Sequence, residues 1–180
     1  MIKYDEKGLI TLEYLRHILK YNPDTGLWKW REYRASHVWY GDQAGFLENT
    51  GYVRIVIDYE RYQAHVLAWF YMTGEWPKNK IDHENTISWD NRWENLREAT
   101  NSQNGGNRSI NWNNTSGFKG VSYYKPNSNW VARIMHDKKP RHLGYFKCPT
   151  LAAIAYDKAS IKYFGEFART NFPKENYITI

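Results

Sequence analysis

Ile81-Asp82-His83-Glu84-Asn85, then Asp90-Asn91-Arg92-Trp93-Glu94-Asn95-Leu96-Arg97-Glu98-Ala99-Thr100, then Asn101-Ser102-Gln103-Asn104, is the stretch on which the reading of this chain turns. Residues 80–83 form a short strand candidate after a proline turn, and residues 95–98 a candidate partner. Thr100 followed by Gln103 fits a capping box, in which the Thr side chain and the Gln side chain each satisfy the other's backbone N–H. A helix starting there carries Asn104 in its first turns. Two strands closed by that helix would bring Asp82, His83 and Asn104 together. Asp82 offers a carboxylate oxygen and Asn104 an amide oxygen, hard ligands suited to one Mg²⁺ or Mn²⁺. A neutral His83 imidazole beside such an ion can take a proton from water, and the ion can stabilise the phosphorane and the departing 3′ oxygen. Together these parts would hydrolyse a phosphodiester. Taken singly, each of these residues is more often a turn or cap residue.

Upstream, residues 10–20 read as an amphipathic helix through Leu12, Leu15, Ile18 and Leu19, with Thr11 as its cap. Asn22-Pro23-Asp24-Thr25-Gly26 is a turn. Residues 26–30 and 51–57 are predicted strands. Residues 64–72 are apolar nearly all round and predict a buried helix that Gly74-Glu75-Trp76-Pro77 ends. Downstream, residues 105–117 are rich in Gly, Asn and Ser and read as a linker. Three strand-like runs follow at 120–124, 130–136 and 141–146, then an amphipathic helix capped by Thr150 and running to Phe164.

Charge separates the two parts. Residues 1–100 hold 13 Lys/Arg against 15 Asp/Glu, whereas residues 101–173 hold 11 against 3. The net charge of +6 therefore belongs to the C-terminal part, and a concentrated positive field points to a polyanion such as nucleic acid. The one cysteine, Cys148, excludes an intramolecular disulfide and a cysteine-rich zinc cluster, and fits a reducing cytoplasm. The first residues are too polar for a signal peptide. No apolar run approaches the ~18 residues of a membrane span.

Asp82-His83, Asp90-Asn91-Arg92 with Glu94-Asn95-Leu96-Arg97, and Thr100 with Gln103-Asn104 resemble the ββα-metal motif of HNH homing endonucleases from phages and group I introns. Ala64-His65-Val66-Leu67-Ala68-Trp69 and Thr73-Gly74-Glu75-Trp76-Pro77 resemble that subfamily's leader, so the likeness covers residues 9–108. The resemblance implies that His83 is the general base, that Asp82 and Asn104 bind one divalent metal, and that Asn95 braces the loop between the strands. The third letter of the motif is Asn104 rather than histidine, as in one branch of the family. Two departures stand out. Asn85-Thr86-Ile87-Ser88-Trp89 replaces the usual Gly-Asp-like turn, and Val66 follows His65 where Arg is usual. His65 itself reads as a packed helix residue rather than a catalytic one.

Lys119-Gly120-Val121, Trp130-Val131-Ala132-Arg133-Ile134, His142-Leu143-Gly144-Tyr145-Phe146, Ala152-Ala153-Ile154-Ala155-Tyr156-Asp157 and Asn171-Phe172-Pro173 resemble the Apetala/ethylene-response-factor DNA-binding domain. That family lays the open face of its sheet in the DNA major groove. Alternation gives an independent reading: Trp130, Ala132 and Ile134 share one strand face, Val131, Arg133 and Met135 the other. With the helix covering the Trp130 face, together with Val121, Tyr123 and Leu143, the open face holds Ser122, Tyr124, Arg133 and His142. Lys119 and Lys125 lie at its edge. Arg133 there can read guanine. Ser122, Met135 and Pro140 stand where plant domains carry more Arg, which implies weaker or different sequence preference.

The expected protein is α+β: a nuclease domain over residues 1–108, a linker at 109–117, a DNA-binding module at 118–173 and a tail at 174–180. It is expected to be a monomer in a host or bacterial cytoplasm, nicking double-stranded DNA to leave 5′ phosphate and 3′ hydroxyl. Its rivals are a non-catalytic DNA-binding regulator on a relic HNH fold, and a nuclease without homing biology.

Overall fold

Thr11 Oγ1 accepts the Tyr14 N–H at 3.3 Å and starts α1 (Leu12–Ile18). The helix ends earlier than its apolar spacing predicts. Leu19 turns extended and begins β1 (Leu19–Tyr21), which pairs antiparallel with β2 (Trp28–Trp30) through Leu19 opposite Trp30. The pairing gains both strands' backbone bonds and buries Leu19 completely. The computed structural model describes residues 1–34 and 37–177, so the last three residues of the expected tail lie outside the described residues.

Contacts divide the chain into two compact units, Met1–Glu98 and Ala99–Ile180. In the first, β3 (Gln43–Ala44) extends the β1–β2 sheet. A second sheet is formed by β4 (Phe46–Leu47), β5 (Val53–Ile57) and β6 (Glu60–Gln63). α2 (Ala64–Thr73) follows without a break and stops at Gly74, whose φ of 79° is the left-handed conformation of a helix end. Leu15, Ile18, Leu19, Ile55, Ile57 and Leu67 are all fully buried in one core. Each such side chain stabilises the fold by about 1.5–3 kcal/mol over leaving it in water. β7 (Lys80–His83) and β8 (Leu96–Ala99) make a two-stranded sheet. Asn79 meets Glu98 at one end and Glu84 meets Asn95 at the other, so the strands run antiparallel.

In the second unit, Thr100 caps α3 (Asn101–Asn107), and both halves of the capping box form with Gln103. β9 (Val121–Tyr124), β10 (Asn129–His136) and β11 (Lys139–Phe146) form an antiparallel sheet with β10 central. α4 (Pro149–Phe164) covers it. Pro149 opens α4, where its missing N–H costs nothing, so Thr150 lies inside the first turn and is not the cap expected from sequence. Ala132, Ala152, Ala153 and Val121 form one core cluster, and Ala99, Ile134, Tyr156 and Phe164 another.

The packing division falls at Glu98/Ala99, ahead of the compositional linker expected at 109–117. Ala99 is buried against Ile134 and Tyr156, and a Cβ on Gly106 would stand 2.5 Å from the Phe164 ring. α3 is therefore packed with the elements that follow it. The mixed helix-and-sheet content makes the chain α+β. Among the described residues, no helix is long and apolar enough to cross a membrane.

Candidate active site and nucleic-acid interface

Asp82 and His83 end β7, each 5% exposed. His83 Nε2 lies 3.1 Å from Asn91 Oδ1. An amide oxygen only accepts, so Nε2 carries the proton and the neutral ring keeps its lone pair on Nδ1. Burial pushes the His83 pKa below its ordinary value, against the opposing pull of the Asn91 bond and of Asp82 and Asp90. Asp82 Oδ2 accepts from Arg97 Nε of β8 at 3.1 Å.

Asn95 sits where the loop after β7 returns to β8. Its Nδ2 donates to the Asp90 carbonyl at 2.7 Å, and its Oδ1 accepts the Asn85 N–H at 2.9 Å. One buried amide thus ties both sides of the loop. Asp90 takes bonds from Arg92 Nε and Nη2 and from Asn85 Nδ2, and the Arg92 bonds hold its carboxyl down at about 2. The loop is buttressed from the N-terminal turn. Trp93 N–H donates to the Pro23 carbonyl, Tyr21 OH to the Asn91 carbonyl, and Gly26 lies so close that a Cβ there would stand 2.5 Å from the Asn91 carbonyl carbon. Its φ of 71° also favours glycine.

The residues that flank His83 were not legible in the sequence. His65 of α2 stands edge-on to it with ring centroids 4.9 Å apart, and Tyr52 contacts both rings at 5.3 and 5.9 Å. Burial drives His65 down to about 3, with the neighbouring His83 a smaller cause. His65 is a packed helix residue as its sequence reading held, but what it packs on is His83. Asn91, quoted with the motif but given no role, is the residue that orients the imidazole.

Asn104 lies in α3, half-buried, within the second unit. Asp82, His83 and Asn95 are gathered by the first unit's β7–β8 loop. The donor chemistry of Asp82 and Asn104, carboxylate and amide oxygen, fits a hard divalent cation. Among the described residues no group of three or more His, Cys, Asp or Glu could hold a metal.

On the second unit's sheet, Ser122, Tyr124, Arg133 and His142 are exposed, with Arg133 opposite His142 and Lys125 exposed beyond β9. Lys119 is the exception. Its Nζ donates to the Gly106 carbonyl at 2.6 Å and approaches the Arg169 carbonyl at 3.4 Å, over the Tyr156 ring. The sequence placed it at the open edge; unsatisfied backbone carbonyls draw it inward instead. Burial lowers this ammonium to about 8. Val131, expected on the open face, is buried in the central strand between Ser122 and Tyr145. A bulge explains Tyr145: Ala132 pairs with Gly144 but Arg133 with His142. The extra residue lets Leu143 and Phe146 both pack inward, while Tyr145 joins His142 at 4.7 Å and Tyr124 at 5.6 Å.

Residues 62–105, from β6 into α3, match the HNH endonuclease family. Ethylene-responsive transcription factor ERF024 of Arabidopsis thaliana is 36% identical over 78 residues, 42% of this chain and 39% of that protein. Ethylene-responsive transcription factor WRI1 of Arabidopsis thaliana is 42% identical over 65 residues, 35% of this chain and 15% of that protein. APETALA2-like protein 2 of Oryza sativa subsp. indica is 36% identical over 63 residues, 35% of this chain and 14% of that protein. The chain thus spans well under half the length of these relatives. It is similar over residues 62–105 to the HNH endonuclease family and, over stretches of 63 to 78 residues, to ethylene-responsive and APETALA2-like proteins.

Proposed function

We propose that the protein is a metal-dependent HNH endonuclease of the homing type that hydrolyses phosphodiester bonds in double-stranded DNA, nicking one strand per active site. The observation that carries this reading is His83: buried, held neutral, oriented by Asn91 through Nε2, and set beside the carboxylate of Asp82. In this reading His83 Nδ1 takes the proton of the attacking water. Asn91 prevents the ring from presenting the wrong nitrogen, and His65 and Tyr52 limit its rotation. Asn95 keeps the loop closed behind it. Asp82 and Asn104 would hold one Mg²⁺ or Mn²⁺. Such an ion, when bound, supplies positive charge to the phosphoryl oxygens and the leaving 3′ oxygen.

DNA would be engaged by the open sheet face. Arg133 and His142 face each other across β10 and β11, and Tyr124 and Tyr145 lie beside them as apolar bodies with polar tips. Arg133 has the reach and fork geometry for a guanine edge, and Lys125 is placed for a phosphate. The protein is proposed to act as a monomer.

A second reading has its own support: the relatives named above are transcription factors, which favours a DNA-binding regulator without catalysis. Incubating supercoiled plasmids with the protein in Mg²⁺ and in EDTA separates the two. The nuclease nicks in Mg²⁺, stops in EDTA and resumes on adding Mg²⁺ or Mn²⁺. Binding without nicking in every metal tried selects the regulator.

A further inference from the structure

α3 is a poor helix by its own means. It has seven residues, two of them glycine, and no basic residue in its last turn. Isolated helices of that length are unstable, and interior glycine weakens them further. Its order must come from what surrounds it. Four contacts within the same unit meet that need: Lys119 Nζ on the Gly106 carbonyl at 2.6 Å, Arg169 N–H on the same carbonyl at 3.3 Å, the Phe164 ring against Gly106, and Ser102 Oγ accepting the Asp137 N–H at 3.3 Å.

Lys119 is central to this set. Its ammonium reaches a carbonyl of the last turn of α3, where intrahelical donors are missing and the helix dipole is negative. Its own backbone is fixed, since Lys119 N–H donates to Asn171 Oδ1 at 2.6 Å and Asn171 in turn bonds the buried Asp157 of α4. Next to it Gly120, at φ 75°, lets the Tyr156 ring close over the turn. Burial of the ammonium is costly unless carbonyls satisfy it, and its two carbonyl neighbours do so.

We propose that Lys119 is a positioning residue: it clamps the C-terminal end of α3 onto the sheet-and-helix module and thereby sets the place of Asn104. The consequence for catalysis rests on the nuclease reading above; the clamp itself does not. The module assigned to DNA would then also hold Asn104, the third residue of the motif.

The test uses the full chain with Lys119→Met, Lys119→Arg and Gly106→Ala, the last crowding Phe164 while leaving the Lys119 side chain itself unchanged. Amide hydrogen exchange is followed at residues 104–107 and at Val131–Ile134, with DNA affinity and Mg²⁺-titrated nicking measured alongside. In Lys119→Met the α3 amides should exchange at least ~10-fold faster while the β10 amides hold. DNA affinity should stay within about 2-fold, as expected of a residue that touches no phosphate. Nicking should need more Mg²⁺ for half-maximal rate, and Lys119→Arg should restore part of the loss. Gly106→Ala should show the same selective loosening. Unchanged α3 protection in Lys119→Met overturns the proposal, and if DNA affinity falls at the same time Lys119 is a phosphate contact. Loss spread evenly over α3 and β10 in both Lys119→Met and Gly106→Ala also overturns it. If wild type nicks no DNA, the nuclease reading fails, and the exchange data still decide the clamp.

Discussion

Asn95 is the residue whose effect is most local. Replacing it with Ala leaves the Asn85 N–H and the Asp90 carbonyl without their partner, and each buried unsatisfied group costs about 1–3 kcal/mol. Asn95→Ala should lower the melting temperature and weaken cleavage together; a normal melting temperature with lost cleavage would instead give Asn95 a direct chemical part. The histidines set a pH dependence. His65 stays neutral in the fold down to about 3, whereas the unfolded chain protonates it near 6.5. Below 6.5 the unfolded state therefore binds the extra proton, and the stability contributed above 6.5 is lost as pH falls towards 3. His83 acts in the same direction. Asp90, depressed to about 2, contributes stability above 3.8 that is lost only as pH falls further, towards 2. Urea midpoints should accordingly begin to fall below pH 6.5, well before the carboxylates titrate, and in His65→Phe that first decline should shrink. An unchanged decline in His65→Phe would contradict the shift. At this scale Asp82, His83 and Asn95 were legible because they lie in one short segment with a motif's spacing. His65 and Tyr52 were not, since only the packing of α2 and the approach to β5 bring them to His83.

At the scale of elements, the strand–strand–helix order around the motif and the three-stranded sheet with its helix were readable from periodicity and capping. What periodicity misplaced were the points where one backbone interaction overrode it. β1 took Leu19 from α1 because pairing with Trp30 was available. Pro149 moved the start of α4 ahead of Thr150. The bulge in β11 brought Tyr145 to the open face, which strict alternation assigns to the other side of His142. Gly120 shows how tightly this module is built. A Cβ there would lie 2.0 Å from the Tyr156 ring and 2.8 Å from the Arg133 carbonyl, at a positive φ. Gly120→Ala should therefore destabilise by at least ~1–3 kcal/mol, the range of overpacking and of left-handed strain. Because the displaced carbonyl is that of Arg133, DNA affinity should fall as well. A variant with an unchanged urea midpoint would mean that Tyr156 can move aside.

For the molecule as a whole, composition located the basic half correctly but not the packing boundary. Charge and Gly/Asn content mark residues 105–117 as a linker, while the buried Ala99 and the Phe164–Gly106 contact draw α3 into the C-terminal unit. Composition cannot register such contacts, which depend on partners far along the chain. A fragment of residues 99–177 should thus be more resistant to urea than one of residues 113–177, although both should bind DNA, with a slope of log affinity against log salt of ~0.9 per phosphate contacted. Equal resistance would place α3 outside the unit. The central claim is that His83, in the fold described, is the base of a DNA-cutting site. It is tested most directly by nicking of a mapped target at saturating Mg²⁺ by wild type and by His83→Ala, with binding measured in parallel. The account predicts equal DNA affinity and a turnover at least ~10²-fold lower in the variant, the low end for a lost general base. Equal nicking rates, or no nicking by wild type on any DNA it binds, would contradict it.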